Sequence, residues 1–128
     1  MKRLRILLIE DDAVICMMLT ELLAMLGHEV CGTAGTEVEA IAAAARHAPD
    51  LMIVDANLQM GSGVSAMDAI LRLTAIPHIF MTGGSRLSIP TNAILLQKPF
   101  ATAGLKAALD KAASQIAAAP PCNAPITM

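Results

Sequence analysis

Aromatic side chains are nearly missing: Phe80 and Phe100 are the only two in 128 residues, with no tryptophan or tyrosine. That excludes a basic patch interleaved with aromatics, the mark of a nucleic-acid binder, and dictates an aliphatic core in which methionine fills gaps. Charge of one sign is lacking as well. A net charge of −2 with no basic run gives no electrostatic attraction for nucleic acid. No segment reaches the ~18 uninterrupted apolar residues of a membrane span. The apolar stretch behind Met1, Lys2 and Arg3 is too short for a signal-peptide core with its cleavage site. Cys16, Cys31 and Cys122 are odd in number and widely spaced, which argues against a disulfide frame or a zinc site and for thiols in a reducing, cytoplasmic setting. The length predicts one domain over residues 1–118. Residues 119–128, with three prolines, read as a disordered tail.

What the chain does have is three short apolar runs, each leading into a group that handles metal or phosphate. Residues 4–9 end on Glu10, Asp11 and Asp12, residues 51–54 on Asp55, and residues 94–96 lead through Gln97 to Lys98 and Pro99. Helical periodicity alternates with these runs. Ile15, Leu19, Leu22 and Leu26 define a first helix closed by Gly27, and Thr36 with Glu39 reads as a capping box opening a second. A weaker strand is expected at 29–33, further strands at 78–82 and 93–97, and further helices around Val64, Met67 and Leu71 and around Leu105, Leu109 and Ile116. Five strands interleaved with helices predict an α/β fold: a doubly wound, five-stranded parallel sheet of order 2-1-3-4-5, flavodoxin-like. Ligands of such sheets bind at the carboxyl ends of the strands, at the reversal between the first and third. Glu10, Asp11 and Asp55 stand there.

Carboxylates gathered at one place repel unless a cation joins them, and a hard cation with oxygen ligands, Mg²⁺ above all, suits them. Asp11 and Asp55 would bind it directly and Glu10 through water, while Asp12 reads as the N-cap of the first helix. Asp55 is also a potential nucleophile toward a phosphoryl group. Lys98 would neutralise the transferred charge, and Thr82 would donate its hydroxyl to a phosphoryl oxygen. The glycine clusters at 32–35 and 61–63 lack the Lys-Ser/Thr of a phosphate loop and read as turns. His28, His47 and His78 show no ligand spacing and read as surface or strand-end residues. Met17, Met18 and Met67 read as core filler.

Glu10-Asp11 after strand one, Asp55 after strand three, Thr82 after strand four and Lys98-Pro99-Phe100 after strand five resemble the receiver domain of bacterial two-component response regulators, over residues 3–117. Gly63 fits the family's loop glycine. The resemblance implies that Asp55 accepts phosphate from a histidine kinase or histidine phosphotransfer protein. It also implies Mg²⁺ held by Asp11, Asp55 and the Asn57 backbone carbonyl, with Glu10 orienting a water. By the same resemblance Lys98 pairs with the phosphoryl group, the Lys98–Pro99 peptide is cis, Thr82 moves on activation, and Asn57 and Gly84 tune how fast water removes the phosphate. The chain would then act alone, as a monomer or weak dimer, signalling to a downstream protein by contact, with no catalysis beyond its own phosphorylation and dephosphorylation.

Three departures stand out. Gln59 replaces the family's usual proline. Leu95 replaces the aromatic that swings inward with the threonine. The stretch between Thr82 and Lys98 must hold a strand and two connections of about 4–6 residues each, which predicts a fourth helix that is short or absent. Phe80-Met81-Thr82-Gly83-Gly84 is similar to a receiver subgroup whose fourth strand ends in Phe-Ala-Thr-Gly-x-Tyr and which has a loop there; residues 83–92 would then be mobile without phosphate. Two other readings are a receiver-like interaction module independent of phosphate and a Mg²⁺-dependent phosphatase with an aspartate nucleophile. Against the phosphatase, Asn57 stands where a second acid is expected.

Overall fold

A computed structural model describes residues 2–84 and 89–118. The expected disordered tail lies outside the described residues, as do residues 85–88 of the segment expected to be mobile. The elements run β1 (Arg5–Ile9), α1 (Ala13–Met25), β2 (Glu29–Ala34), α2 (Glu37–His47), β3 (Leu51–Asp55), α3 (Gly63–Leu71), β4 (His78–Thr82), β5 (Ile94–Gln97) and α4 (Thr102–Ala118). All strand pairs are parallel, in the order β2-β1-β3-β4-β5. The predicted doubly wound, flavodoxin-like architecture is thus present. No described residue between β4 and β5 is helical, in line with a connection too short for a full fourth helix.

Period-two alternation along the strands sorts the apolar residues onto two faces. Ile6, Leu8, Leu51, Ile53, Ile79, Met81, Ile94 and Leu96 pack with Leu19 and Leu23 of α1 and Leu105 and Leu109 of α4. Leu7, Ile9, Met52, Val54 and Phe80 pack with Ala40, Ala43 and Ala44 of α2 and Met67 and Ile70 of α3. Covered on both sides, β1 and β3 are almost wholly buried, which is why they read as continuous apolar runs.

Local capping explains where the helices start. The Asp12 carboxylate accepts from the Val14 and Ile15 N–H groups, and the Ser62 hydroxyl accepts from Val64 and Ser65. Thr36 caps α2 by accepting from the Glu39 N–H at 3.1 Å. Glu39 does not return the bond to Thr36. It takes the Gly35 N–H at 3.0 Å, one residue earlier, so only half of the expected capping box forms.

One expectation needs correction. Met17 and Met18 are not core filler: they are 59% and 42% exposed. The buried stripe of α1 follows Leu19 and Leu23, and positions 17 and 18 fall outside it. Met67 is buried as expected. His28 takes the strand-end role expected of it, directly before β2. It is buried, and its Nδ1 accepts the Leu4 N–H at 3.1 Å. That amide lies just before β1 and inside the fold, where a donor requires an acceptor. Among the described residues, no helix is long and apolar enough to cross a membrane.

Candidate functional site

Strands β1 and β3 are neighbours, with Ile9 beside Val54 in register. The residues that follow, Glu10 and Asp55, therefore emerge side by side at the carboxyl rim, and Asp11 follows Glu10. Carboxylate oxygens of Glu10, Asp11 and Asp55 lie within 4.8 Å of one another. Glu10 and Asp55 are buried. Strand β5 brings Lys98 to the same point, where its ammonium donates to Glu10 Oε1 at 2.8 Å and Asp55 Oδ2 at 3.0 Å. The Lys98–Pro99 peptide is cis.

The other oxygens of these acids are held by backbone amides. Glu10 Oε2 accepts from the Asp11 N–H at 3.0 Å, and Asp55 Oδ1 from the Asn57 N–H at 3.0 Å. Asp11 Oδ2 accepts from the Gln59 N–H at 2.6 Å, a bond the family's usual proline could not make. Burial pushes the Glu10 carboxyl up to about 7, and the neighbouring Asp55 carboxylate adds to it against the opposing Lys98. Burial alone would pull Lys98 down. Its hydrogen bonds to Glu10 and Asp55, with their charges, outweigh that and hold it above the ordinary lysine value.

Thr82 is buried at the end of β4, where its carbonyl accepts the Lys98 N–H at 2.8 Å and its hydroxyl accepts the Gly84 N–H at 3.3 Å. Leu95 stands apart from the carboxylates. It pairs with Phe80 across β4 and β5 and packs half-buried on the α2–α3 face. Gly63 is required for closeness alone: a Cβ there would meet the Asp55 carbonyl oxygen and Val54. The Cys16 thiol donates to the Glu10 carbonyl at 3.5 Å, and burial followed by the charges of Glu10, Asp12 and Asp11 pushes it up, away from thiolate reactivity.

The sequence had not marked Glu37, on the first turn of α2. Its carboxylate accepts from the Ser62 N–H at 3.1 Å and the Ser65 hydroxyl at 2.8 Å, pinning the loop behind Asp55. An acid at the start of a helix usually answers the helix dipole, so nothing in the pattern singled it out.

An all-oxygen set of three acids is the donor chemistry of Mg²⁺, so the residues fit a hard divalent cation. Carboxylates and one ammonium gather at the switch point of a doubly wound α/β sheet, where ligands of such folds bind. The family model for the response regulator receiver domain matches residues 6–110, and the chain belongs to that family. It is 33% identical over 117 residues to the transcriptional regulatory protein PdtaR of Mycobacterium tuberculosis, covering 87% of this chain and 57% of PdtaR. It is 37% identical over 116 residues to the phyllosphere-induced regulator PhyR of Methylorubrum extorquens, covering 84% of this chain and 42% of PhyR. The solution structure of the Erythrobacter litoralis PhyR receiver domain superposes with a TM-score of 0.81 at 30% identity, covering 98% of this chain and 97% of that one. The chain thus spans about half the length of the curated relatives it matches. The PhyR relatives agree with the subgroup suggested by residues 80–84.

Proposed function

We propose that the chain is a phospho-accepting receiver: Asp55 takes a phosphoryl group from a histidine kinase or histidine phosphotransfer protein in a Mg²⁺-dependent reaction. The observation that carries this reading is the buried Asp55 carboxylate with the Lys98 ammonium at 3.0 Å and two further acids beside it. An Asp55 oxygen attacks phosphorus, forming the acyl-phosphate O–P bond as the P–N bond to the donor imidazole breaks, and the electron pair leaves with the imidazole nitrogen. Asp11, Asp55 and the Asn57 carbonyl would hold the Mg²⁺, with Glu10 acting through water. Bound Mg²⁺ supplies positive charge against the phosphoryl oxygens. Lys98 follows the transferred charge by exchanging a carboxylate partner for a phosphoryl oxygen. Thr82 donates its hydroxyl to another, releasing the Gly84 N–H that it now accepts. Gly84 and Asn57 border the path of water and so govern how long the phosphate lasts.

With Leu95 in place of an aromatic, the Thr82 movement passes to Gly83 and Gly84, and the output is contact with a downstream protein in the cytoplasm. Incubation with Mg²⁺ and a small phosphodonor, followed by intact-mass measurement, tests this. The wild type should gain one phosphoryl group and Asp55→Asn should not. Repeated turnover of a phosphate ester without an adduct would instead indicate a phosphatase. Folded protein with neither outcome would leave an interaction module.

A further inference from the structure

The loop from Asn57 to Ser62 is fastened on two sides. Asn57 and Ser62 bridge each other in antiparallel fashion, closing the loop on itself. From α2, the Glu37 carboxylate takes the Ser62 N–H and the Ser65 hydroxyl, and the Glu37 N–H donates to the Met60 carbonyl at 3.2 Å. Packing at this seam is close. Gly61 has φ +90°, and a Cβ there would lie 2.7 Å from the Glu37 Cβ. Across the loop from Glu37, the Gln59 N–H reaches Asp11 Oδ2 at 2.6 Å. The loop spans only residues 57–62, so bonds that fix it at Met60 and Ser62 narrow the directions in which the Gln59 N–H can point.

We propose that Glu37 is a positioning residue which, through the Gln59 peptide N–H, orients the Asp11 carboxylate for a divalent cation. The proposal rests on reading Glu10, Asp11 and Asp55 as a cation site. Lys98 fixes Glu10 and Asp55 directly, whereas Asp11 receives its orienting bond from the loop. A carboxylate oxygen accepts in two lone-pair directions, so the Gln59 N–H occupies one and leaves the other for a cation. The bond is charge-assisted and short. It removes the rotamer freedom that Asp11 would otherwise lose on binding the cation. Partners that orient ligating carboxylates are worth roughly 10–100-fold in metal affinity.

Isothermal titration of the full chain with MgCl₂ tests the clamp, with thermal melts of each variant as a control for folding. Glu37→Ala removes both carboxylate bonds while keeping the main-chain bond to Met60, and Gln59→Pro removes only the Gln59 N–H. Each should weaken Mg²⁺ binding by about tenfold. Glu37→Gln keeps an acceptor for Ser62 and a donor for Ser65 while losing the charge, and it should bind as the wild type does. Equal or tighter binding by Glu37→Ala and Gln59→Pro overturns the proposal. So does Glu37→Gln binding as weakly as Glu37→Ala, because the effect would then be one of charge. If Glu37→Ala does not fold, Ser65→Ala, which removes one of the two carboxylate bonds, takes its place: weaker Mg²⁺ binding supports the clamp and wild-type binding overturns it. A wild type that binds no Mg²⁺ overturns the cation-site reading itself, an outcome distinct from failure of the clamp alone.

Discussion

The Lys98 ammonium lies 2.8 Å from Glu10, joining residues 88 positions apart. The same nitrogen holds Asp55, so one cation answers two buried acids. Lys98→Met leaves those acids without their counter-charge. Breaking such a pair by deleting one partner costs about 3 kcal/mol. Urea denaturation at pH 8 in EDTA should show this loss, and a change below about 0.5 kcal/mol, the range of neutral surface substitutions, would refute it.

Asp55→Asn should act in the opposite direction. The Asp55 carboxylate contributes to pushing Glu10 up to about 7, a sign of like-charge crowding. Removing its charge relieves that crowding, and without metal the variant should melt about 3 °C higher than wild type, equivalent to roughly 1 kcal/mol or less. Saturating Mg²⁺ should raise the wild-type melting temperature and narrow the difference. A lower melting temperature for Asp55→Asn in EDTA would contradict this account.

Asp12 separates the helix cap from the chemistry. Asp12→Ala deletes the acceptor for the Val14 and Ile15 N–H groups and should cost about 1 kcal/mol. Acyl-phosphate yield at Asp55, read by intact mass, should stay at the wild-type level. Loss of the adduct in a folded variant would place Asp12 in the site.

Gly63→Ala places a methyl against the Asp55 carbonyl oxygen. The backbone behind Asp55 must shift, at a cost of about 3 kcal/mol. Phosphoryl transfer should slow in the same variant because Asp55 moves with its carbonyl. Stopped-time phosphorylation assays alongside denaturation check both, and unchanged values in both would show that the loop yields freely.

Acid sensitivity should arise at His28. Burial lowers its pKa below the ordinary value of 6.5, and its Nδ1 must stay unprotonated to accept from Leu4. The unfolded chain then binds the proton more readily, so this contribution is complete above pH 6.5 and declines as pH falls below it. His28→Gln offers a non-titrating acceptor and should flatten that part of the curve between pH 7.5 and 5.5. Parallel curves for both proteins would assign the acid loss elsewhere.

Strands β1 and β3 were legible because burial on both faces removes the polar half of the pattern, and their terminal acids named the rim. Asp12 and Ser62 follow local capping rules, so their roles depend on a few adjacent residues. Glu37, His28 and the Gln59 N–H escaped notice for the opposite reason. Each acts across 24 or more positions, on Ser62, Leu4 and Asp11 respectively. Two of those three contacts use a main-chain amide of the distant residue, and the third is itself a main-chain amide, which side-chain identity does not encode. Met17 and Met18 misled because α1 is apolar around nearly its whole circumference, so residue type there does not separate the buried stripe from the exposed one.

The two apolar clusters share the sheet as a common wall, one backed by α1 and α4, the other by α2 and α3. Among the described residues their buried side chains form two separate clusters on opposite faces of the strands. Mutational drift on one flank can therefore proceed without forcing compensation on the other. Both flanks end at the same acidic rim, so either can be rebuilt while the carboxylates and Lys98 between them stay as they are.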